Sequence, residues 1–238
     1  MFGPWINSAA LVVGGGFGAA LRRWIPKRVV DALPLTCGVI SASIGTVMVN
    51  RIHSIPAVVL AMLGGAFLGE LLFLERGLER SISGLQRLLG KAEHAAADDA
   101  ATQTFIRKFI TILVLFSVSG MGIFGSMQEG ITGNPTILIT KVILDLFTAL
   151  IFAAELGYPV ILIAIPQLAI QASLYFGATL ISGLFTPEMQ GDFSACGGVI
   201  MLATGLRICG IKLFPIVNML PALFLVMPIS ALWNHLPL

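Results

Sequence analysis

Long apolar stretches, each bounded by charged residues or by proline and glycine, dominate the chain. A helix needs about 20 residues to cross the hydrocarbon core of a bilayer, and eight stretches approach that length. They cover residues 5–21, 35–50, 55–74, 109–127, 136–156, 160–184, 194–211 and 215–232. The stretch 35–50 is short for a full crossing. The pattern predicts an all-α protein, a polytopic bundle of about eight transmembrane helices.

Charged residues are too few for a soluble protein. Of the 238 residues, 57% are hydrophobic and 11% are charged, whereas soluble domains carry roughly 25% charged residues. The composition excludes an ordinary soluble enzyme, a disordered chain and a nucleic-acid-binding protein with a basic face. It predicts one integral membrane domain over residues 1–238, surrounded by membrane lipids.

The positions of Lys and Arg predict how the bundle is oriented. Cytoplasmic loops of membrane proteins carry an excess of these residues. Alternate connections form two sets, of which one contains eleven Lys and Arg and the other contains Arg51 alone. The eleven are Arg22, Arg23, Lys27, Arg28, Arg76, Arg80, Arg87, Lys91, Arg107, Lys108 and Lys212. We therefore expect the first set to face the cytoplasm and both termini to face outward.

The longest polar segment, residues 75–108, connects the third and fourth predicted crossings. Its apolar residues recur at helical spacing, at Leu78, Ile82, Leu85 and Leu89. Charged residues, Glu75 among them, occupy the other faces. This pattern predicts an amphipathic helix on the inner membrane surface. We interpret the segment as a cytoplasmic connector, with binding of a partner protein as the alternative.

A short motif occurs twice in the chain. Gly-Val-Ile stands at residues 38–40 and again at 198–200, and a further glycine follows seven residues after the first one, at Gly45 and at Gly205. The copies lie in the second and seventh predicted crossings, five places apart in order, so the two copies enter the membrane from opposite sides. This favours an inverted repeat of segments 1–3 and 6–8, an arrangement in which transporters place their binding site near the midplane.

Polar residues of the fifth apolar stretch share one helix face. The stripe consists of residues at steps of four, three, four and three, namely Lys141, Asp145, Thr148, Phe152 and Glu155. This spacing brings their side chains to one side of a helix. A charge at the bilayer centre costs at least roughly 2.5–3.5 kcal/mol, so the stripe requires an explanation. It either lines a solute or proton pathway, with Asp145 as a protonatable or coordinating group, or fastens the helix into the bundle through a Lys141–Asp145 ion pair.

Four further polar residues are weaker candidates. Ser126 lies in the glycine-rich end of the fourth stretch, which favours an unwound segment beside a cavity, although close helix packing would also explain it. Asn218 lies three residues before Pro221, whose missing N–H frees a backbone carbonyl as in the broken helices of transporters. Arg207 and Glu70 lie near the predicted inner surface, where solvation explains a charge as well as function does.

The chain lacks the residue patterns of common intramembrane enzymes. All three histidines, His53, His94 and His235, lie outside the predicted crossings, and Asp145 is the one aspartate well inside a crossing. Intramembrane proteolysis needs a histidine beside a serine or zinc, or two facing carboxylates. The P-loop pattern that binds ATP does not occur in the sequence. We therefore expect no enzymatic activity, no cofactor and no metal site.

A set of motifs extends from the first predicted crossing to the last. It comprises Asn7 with 15–18, 65–75, 125–126 with Gly130, Lys141 with 144–145, 192–195, 197–198, 205–206, 210–212 and 218–222. Together these motifs resemble the YqgA/YdfK family, bacterial inner-membrane proteins of unknown function. The resemblance implies a multi-pass inner-membrane protein, which with the predicted orientation places both termini in the periplasm. It supplies no substrate and no site residue.

The leading functional hypothesis is a transporter or channel for a small solute or ion, with ion or proton coupling as an option. The residues predicted to line the pathway or to bind are Asp145, Lys141, Thr148, Asn218, Ser126, Arg207 and Glu70. A membrane scaffold that transports nothing is the alternative, and an intramembrane enzyme is the third hypothesis. The predicted partners are membrane lipids and the unknown solute, with a homo-oligomer allowed and no nucleic acid.

Overall fold

The computed structural model describes most of the chain outside the polar connector. The described residues are 1–77, 80, 105, 108–109, 112–113, 115–117 and 119–234. The predicted amphipathic helix of the 75–108 connector therefore lies outside the described residues, apart from the few at its ends. Two of the three histidines, His94 and His235, also lie outside them.

The described residues form helices and no strand, which confirms the all-α prediction. The α-helices are α1 (Phe2–Ala20), α2 (Lys27–Val49), α3 (Ile55–Leu71), α4 (Gly120–Thr132), α5 (Thr136–Leu156), α6 (Ala164–Ile181), α7 (Pro187–Ile208), α8 (Ile216–Met219) and α9 (Pro221–Asn234). Two 3₁₀ turns flank α6, at Tyr158–Ile163 and Ser182–Leu184.

The surface and the helix lengths suit a bilayer. Within the described part of the chain, four helical stretches are long and apolar enough to cross a membrane. They are Ala32–Val49, Thr136–Leu156, Tyr158–Ile181 and Ile216–Trp233. Large apolar side chains face outward, among them Leu180, which is 87% exposed, and Phe67, which is 68% exposed. A soluble monomer rarely exposes apolar surface so extensively, so these side chains are placed to contact lipid.

The fourth apolar stretch has a different structure from the one that its sequence predicts. Residues 115–117 are helical, the backbone is extended at Ser119, and a new helix, α4, begins at Gly120. The Ser119 hydroxyl accepts the N–H of Gly122 at 3.1 Å and so caps α4. The glycine-rich stretch is therefore helical, and the expectation of an unwound segment around Ser126 is wrong. Every residue from Gly120 to Ile131 is buried, and this packing outweighs the low helix propensity of glycine.

Two other stretches also differ in detail. The second helix starts at Lys27 and runs for 23 residues through Pro34, so it is longer than the predicted crossing 35–50. The last stretch is interrupted, because α8 ends at Met219 and α9 begins at Pro221. The predicted break beside Asn218 is present.

Helices α2 and α7 pack against each other through the repeated glycine motif. A side chain on Gly45 would lie 2.5 Å from the carbonyl oxygen of Gly198, and one on Gly198 would lie 2.7 Å from that of Gly45. Gly38 and Gly205 face each other in the same way, with Gly38 at 2.9 Å from the Gly205 oxygen. Residue numbers rise in one helix as they fall in the other, so the two helices are antiparallel.

Helices α1 and α5 pack as closely, but in parallel. Gly14 of α1 faces the carbonyl oxygen of Leu146, and Gly18 faces that of Leu150. Only glycine permits this approach, because a Cβ atom would clash with the backbone of α5. Antiparallel contacts of the same kind join α3 to α8 and α9, with Gly69 beside Asn218 of α8 and Gly65 beside Ala222 of α9.

These contacts define two ends of the bundle. The 209–215 end contains the start of α2 and the ends of α3 and α7, since Cys209 bonds the carbonyl of Leu35 and Glu75 bonds the N–H of Val217. The 50–54 end contains the start of α7, which Gly191 brings against Arg51. An apolar cluster that includes Phe124 and Phe193 fills the bundle between α4, α7 and α9.

Candidate functional site

A cavity of about 450 Å³ lies between α2, α4, α5, α7 and α8. Most of its wall is apolar, with Phe116 and Phe152 among the larger side chains. Its polar lining residues are Cys37, Ser41, Glu75, Ser119, Lys141, Asp145, Thr148, Thr204 and Arg207. The cavity thus brings two cations and two carboxylates of the described chain into one space.

The first charge pair in the cavity is Lys141 and Asp145. The Lys141 ammonium donates to Asp145 Oδ2 one helical turn away, and both residues are buried. Gln167 Nε2 of α6 donates to the same carboxylate oxygen at 2.9 Å. The ammonium also lies 5.9 Å from the centre of the Phe116 ring, a cation–π distance. The pair is held from two neighbouring elements while it faces the cavity.

Thr148 continues the polar stripe by one turn. Its hydroxyl donates to the carbonyl of Leu144 at 2.7 Å, and its oxygen lies 3.8 Å from the Cys37 Sγ of α2. Four members of the predicted stripe, Lys141, Asp145, Thr148 and Phe152, therefore line the cavity. The fifth, Glu155, does not, and it is paired with Lys108 instead.

The second charge pair in the cavity joins α7 to the residues that follow α3. Arg207 Nη1 donates to Glu75 Oε1 at 2.6 Å and to the carbonyl of Phe214 at 2.9 Å. The other Glu75 oxygen accepts the N–H of Val217 at 2.8 Å. Arg207 is thus bound to specific groups although its side chain remains 39% exposed. Sequence reasoning missed Glu75, which it assigned to a charged face of the connector.

Three predicted site residues do not line the cavity. Asn218 lies behind Glu75, and its Oδ1 accepts the backbone N–H of Glu75 at 2.7 Å. Ser126 is fully buried, and its hydroxyl donates to the Gly122 carbonyl at 2.7 Å. Glu70 is exposed on α3. The structure therefore brings together four of the seven predicted residues, namely Asp145, Lys141, Thr148 and Arg207.

Two further buried carboxylates, those of Asp192 and Glu129, were not predicted from the sequence. Asp192 is fully buried, and its Oδ1 accepts the N–H groups of His53 and Ser54, each at 2.8 Å, where α3 begins. Its Oδ2 accepts the Ser230 hydroxyl at 2.7 Å. Glu129 accepts the N–H of Phe2 at 2.7 Å, at the start of α1. Neither carboxylate lines the cavity.

Glu75, Glu129 and Asp192 share one role. Each carboxylate binds N–H groups at the start of a helix that is distant in sequence, where the helix dipole is positive. Sequence reasoning placed all three in connections, because each lies beyond or at the edge of an apolar stretch. The spacing of apolar residues holds no signal for a carboxylate that caps a distant helix.

No three His, Cys, Asp or Glu side chains of the described residues are grouped closely enough to hold a metal ion. Among those same residues, the Gln171 side chain is 1% exposed and neither its nitrogen nor its oxygen has a hydrogen-bond partner. Within the described part of the chain, the Gln171 amide is therefore buried without a hydrogen-bond partner.

Comparison with known proteins finds one family and two related sequences. The family described as "Protein of unknown function (DUF554)" matches residues 2–231. The chain is 48% identical over 234 residues to "Uncharacterized protein YqgA" of Escherichia coli (strain K12), with 98% of each chain covered. It is 23% identical over 230 residues to "Uncharacterized membrane protein YdfK" of Bacillus subtilis (strain 168), covering 94% of this chain and 93% of YdfK. No solved structure matches. The resemblance to the YqgA/YdfK family is confirmed.

Proposed function

We propose that this chain, which belongs to the DUF554 family of proteins of unknown function, is a transporter or channel for a small solute or ion. The observation that carries the proposal is the cavity of about 450 Å³ that reaches the buried Lys141–Asp145 pair. Intramembrane charges that face a cavity typically mark a solute or ion pathway. We infer no enzymatic activity.

The proposed topology has eight crossings in the bacterial inner membrane, with both termini in the periplasm. The excess of Lys and Arg in alternate connections supports this orientation. The packing directions support the alternation of the eight crossings, because crossings of odd number all run in one direction and crossings of even number in the other. The first and fifth crossings should then be parallel and the second and seventh antiparallel, as the α1–α5 and α2–α7 contacts are.

An inverted repeat of segments 1–3 and 6–8 is part of the proposal. Its support is the contact between the two motif copies, in which Gly38 faces Gly205 and Gly45 faces Gly198. This reciprocal pairing is what a local two-fold axis in the membrane plane would produce. Cys37, Ser41 and Thr204, which lie on the same two helices, line the cavity.

In the proposed orientation the cavity faces the cytoplasm. Glu75, Arg207 and Leu213 line it near the 209–215 end, and we call the part lined by Ser119 and Lys141 its floor. Towards the 50–54 end, the rings of Phe124 and Phe193 pack at 5.2 Å between centroids. The cavity would thus be the inward-facing state of a protein with alternating access.

A scaffold that transports nothing is the second candidate. In its favour, the Lys141–Asp145 pair is bonded in a way that would also fasten α5 to α6 through Gln167. A buried ion pair is weak evidence either way, since an apolar pair of similar size is often as stable. The cavity beside the pair is the reason to prefer transport.

Reconstitution tests the proposal. Liposomes containing the full chain are incubated with a bacterial metabolite extract and inorganic ions, and their contents are measured by mass spectrometry. We expect at least one solute to accumulate above the level in empty liposomes, and to lose that excess in Asp145→Asn. Glu70→Gln, which alters an exposed carboxylate, is the matched control and should retain uptake.

The result that would overturn the proposal is uptake no greater than in empty liposomes for every solute, with the chain shown to be folded. Uptake that Asp145→Asn leaves intact would dissociate transport from the cavity. Misassembly of Asp145→Asn together with absent uptake in the unaltered chain would favour the scaffold.

A further inference from the structure

The floor of the cavity contains the start of a helix. Ser119, Gly120 and Met121 line the cavity, and they form the first turn of the 13-residue helix α4. The Ser119 hydroxyl caps Gly122, but the N–H groups of Gly120 and Met121 precede any carbonyl that the helix could offer them. This end of α4 is a concentration of positive partial charge that favours an anionic group.

A buried amide lies beside Lys141 at this end of α4, directly behind the residues that line the cavity. A side chain on Gly122 would lie 2.8 Å from Ser119 Oγ, 2.9 Å from Lys141 Cε and 3.2 Å from Gln171 Nε2. These three side chains therefore converge on the first turn of α4, where glycine leaves room for them. Gln171 is 1% exposed and has no hydrogen-bond partner within the described chain. An unused amide is costly to bury, and a bound ligand would satisfy it.

The charges around this point favour a ligand that carries both signs. Lys141 and the start of α4 suit a carboxylate, while Asp145, one turn from Lys141, suits an ammonium group. The charged side chains lining the cavity are two cations and two anions, so binding of a net-neutral ligand leaves the net charge of the cavity at zero. An anion alone would instead compete with Asp145 for Lys141. The apolar wall, with Leu115, Phe116 and Phe152, suits an apolar substituent.

We propose that the floor of this cavity binds a small zwitterion with an apolar side chain, of the amino-acid type. Its carboxylate bonds the first turn of α4, Lys141 and Gln171, and its ammonium bonds Asp145. The inference rests on the proposed transport function and specifies the solute class for the same cavity. On binding, the internal Lys141–Asp145 pair is exchanged for two ion pairs with the ligand.

Calorimetric titration of the purified full chain in lipid nanodiscs tests whether the ligand is a zwitterion of this class. The probes are alanine, valine, leucine, methionine and phenylalanine, each with its analogue lacking the amino group and its analogue lacking the carboxylate. For leucine these are 4-methylpentanoate and isoamylamine. We expect at least one amino acid to bind, and both of its analogues to bind at least about tenfold more weakly, because each loses an ion pair.

Two variants locate the site. Gln171→Leu removes polar groups that have no partner in the described chain, so it should fold, and we expect about a tenfold loss of affinity. Gly122→Ala, which introduces a methyl group among the converging side chains, should weaken binding as well. Glu70→Gln, which alters an exposed carboxylate on α3 away from these side chains, is the control and should bind normally.

Absence of binding by all five amino acids would overturn the inference. An analogue that binds as tightly as its amino acid would overturn it too, as would full affinity in both Gln171→Leu and Gly122→Ala. The two proposals fail distinguishably. If reconstituted protein takes up another solute in an Asp145-dependent manner, the zwitterion is wrong and transport stands. If there is neither binding nor uptake, both are wrong.

Discussion

Two buried carboxylates of this protein, Asp145 and Asp192, have contrasting surroundings. Asp145 is bonded by two side chains, those of Lys141 and Gln167, and borders a cavity. Asp192 is bonded by two backbone N–H groups and by Ser230, and no part of it lines that cavity. Each carboxylate is hydrogen-bonded inside the bundle, but the donors are side chains for Asp145 and mainly backbone N–H groups for Asp192.

The difference teaches how to separate a structural charge from a functional one. Backbone N–H groups at the start of α3 are fixed by the helix, so Asp192 can change partners only if the helix moves. The ammonium of Lys141 is carried on a flexible four-carbon side chain that lines the cavity. Under the proposed function, Asp145 therefore exchanges this partner for a ligand. Burial of a charged group does not by itself indicate a solute pathway. A buried charge whose ion-pair partner can move into an adjoining cavity is the better candidate for one.

The largest effect on stability is expected at the Lys141–Asp145 pair. Lys141→Met leaves a buried carboxylate without its cation, and we expect the free energy of unfolding to fall by roughly 3–5 kcal/mol. The double variant Lys141→Met/Asp145→Leu removes both charges and should recover most of that loss. Equilibrium unfolding in mixed detergent micelles measures both. A double variant as unstable as the single one would show that the pair stabilises the fold by more than mutual neutralisation.

A somewhat smaller loss is expected at Asp192. Asp192→Ala leaves the N–H groups of His53 and Ser54 and the hydroxyl of Ser230 without their acceptor, which should lower the unfolding free energy by roughly 3 kcal/mol. The same micelle assay measures it, with Glu70→Ala as the exposed control. Uptake per folded molecule should be unchanged, because Asp192 lies outside the cavity. Loss of uptake in the folded fraction would contradict the structural role.

The smallest effects come from the neutral donors to these two carboxylates, and they sharpen the comparison most. Gln167→Leu and Ser230→Ala each remove one hydrogen bond to a buried carboxylate, so we expect similar losses of roughly 1.5 kcal/mol. Only Gln167→Leu should also reduce uptake in liposomes, since it frees Asp145 to reorient. Equal uptake by the two variants would abolish the distinction between the carboxylates.

Local spacing was sufficient to predict part of the candidate site. Lys141 and Asp145 lie four residues apart in an apolar stretch, so any helix there brings them together whatever surrounds it. Apolar stretches of bilayer length likewise predict an all-α membrane protein, because backbone groups in lipid must be satisfied within a helix. The break before Pro221 follows from the missing proline N–H. These features depend on neighbours within a few residues.

Other features depend on partners more than a hundred residues away, and only the tertiary structure decided them. Asp192 caps α3 because α7 starts beside its first turn, and Arg207 meets Glu75 because α7 ends where α3 has ended. Burial on every side, a property of the assembled bundle, keeps the glycine-rich α4 helical from Gly120 onward. The cavity is the space that these long-range contacts leave between five helices. The sequence alone identified Lys141 and Asp145 as charges that need an explanation, because their spacing is local. The packing added Glu75 and decided which charges line the cavity.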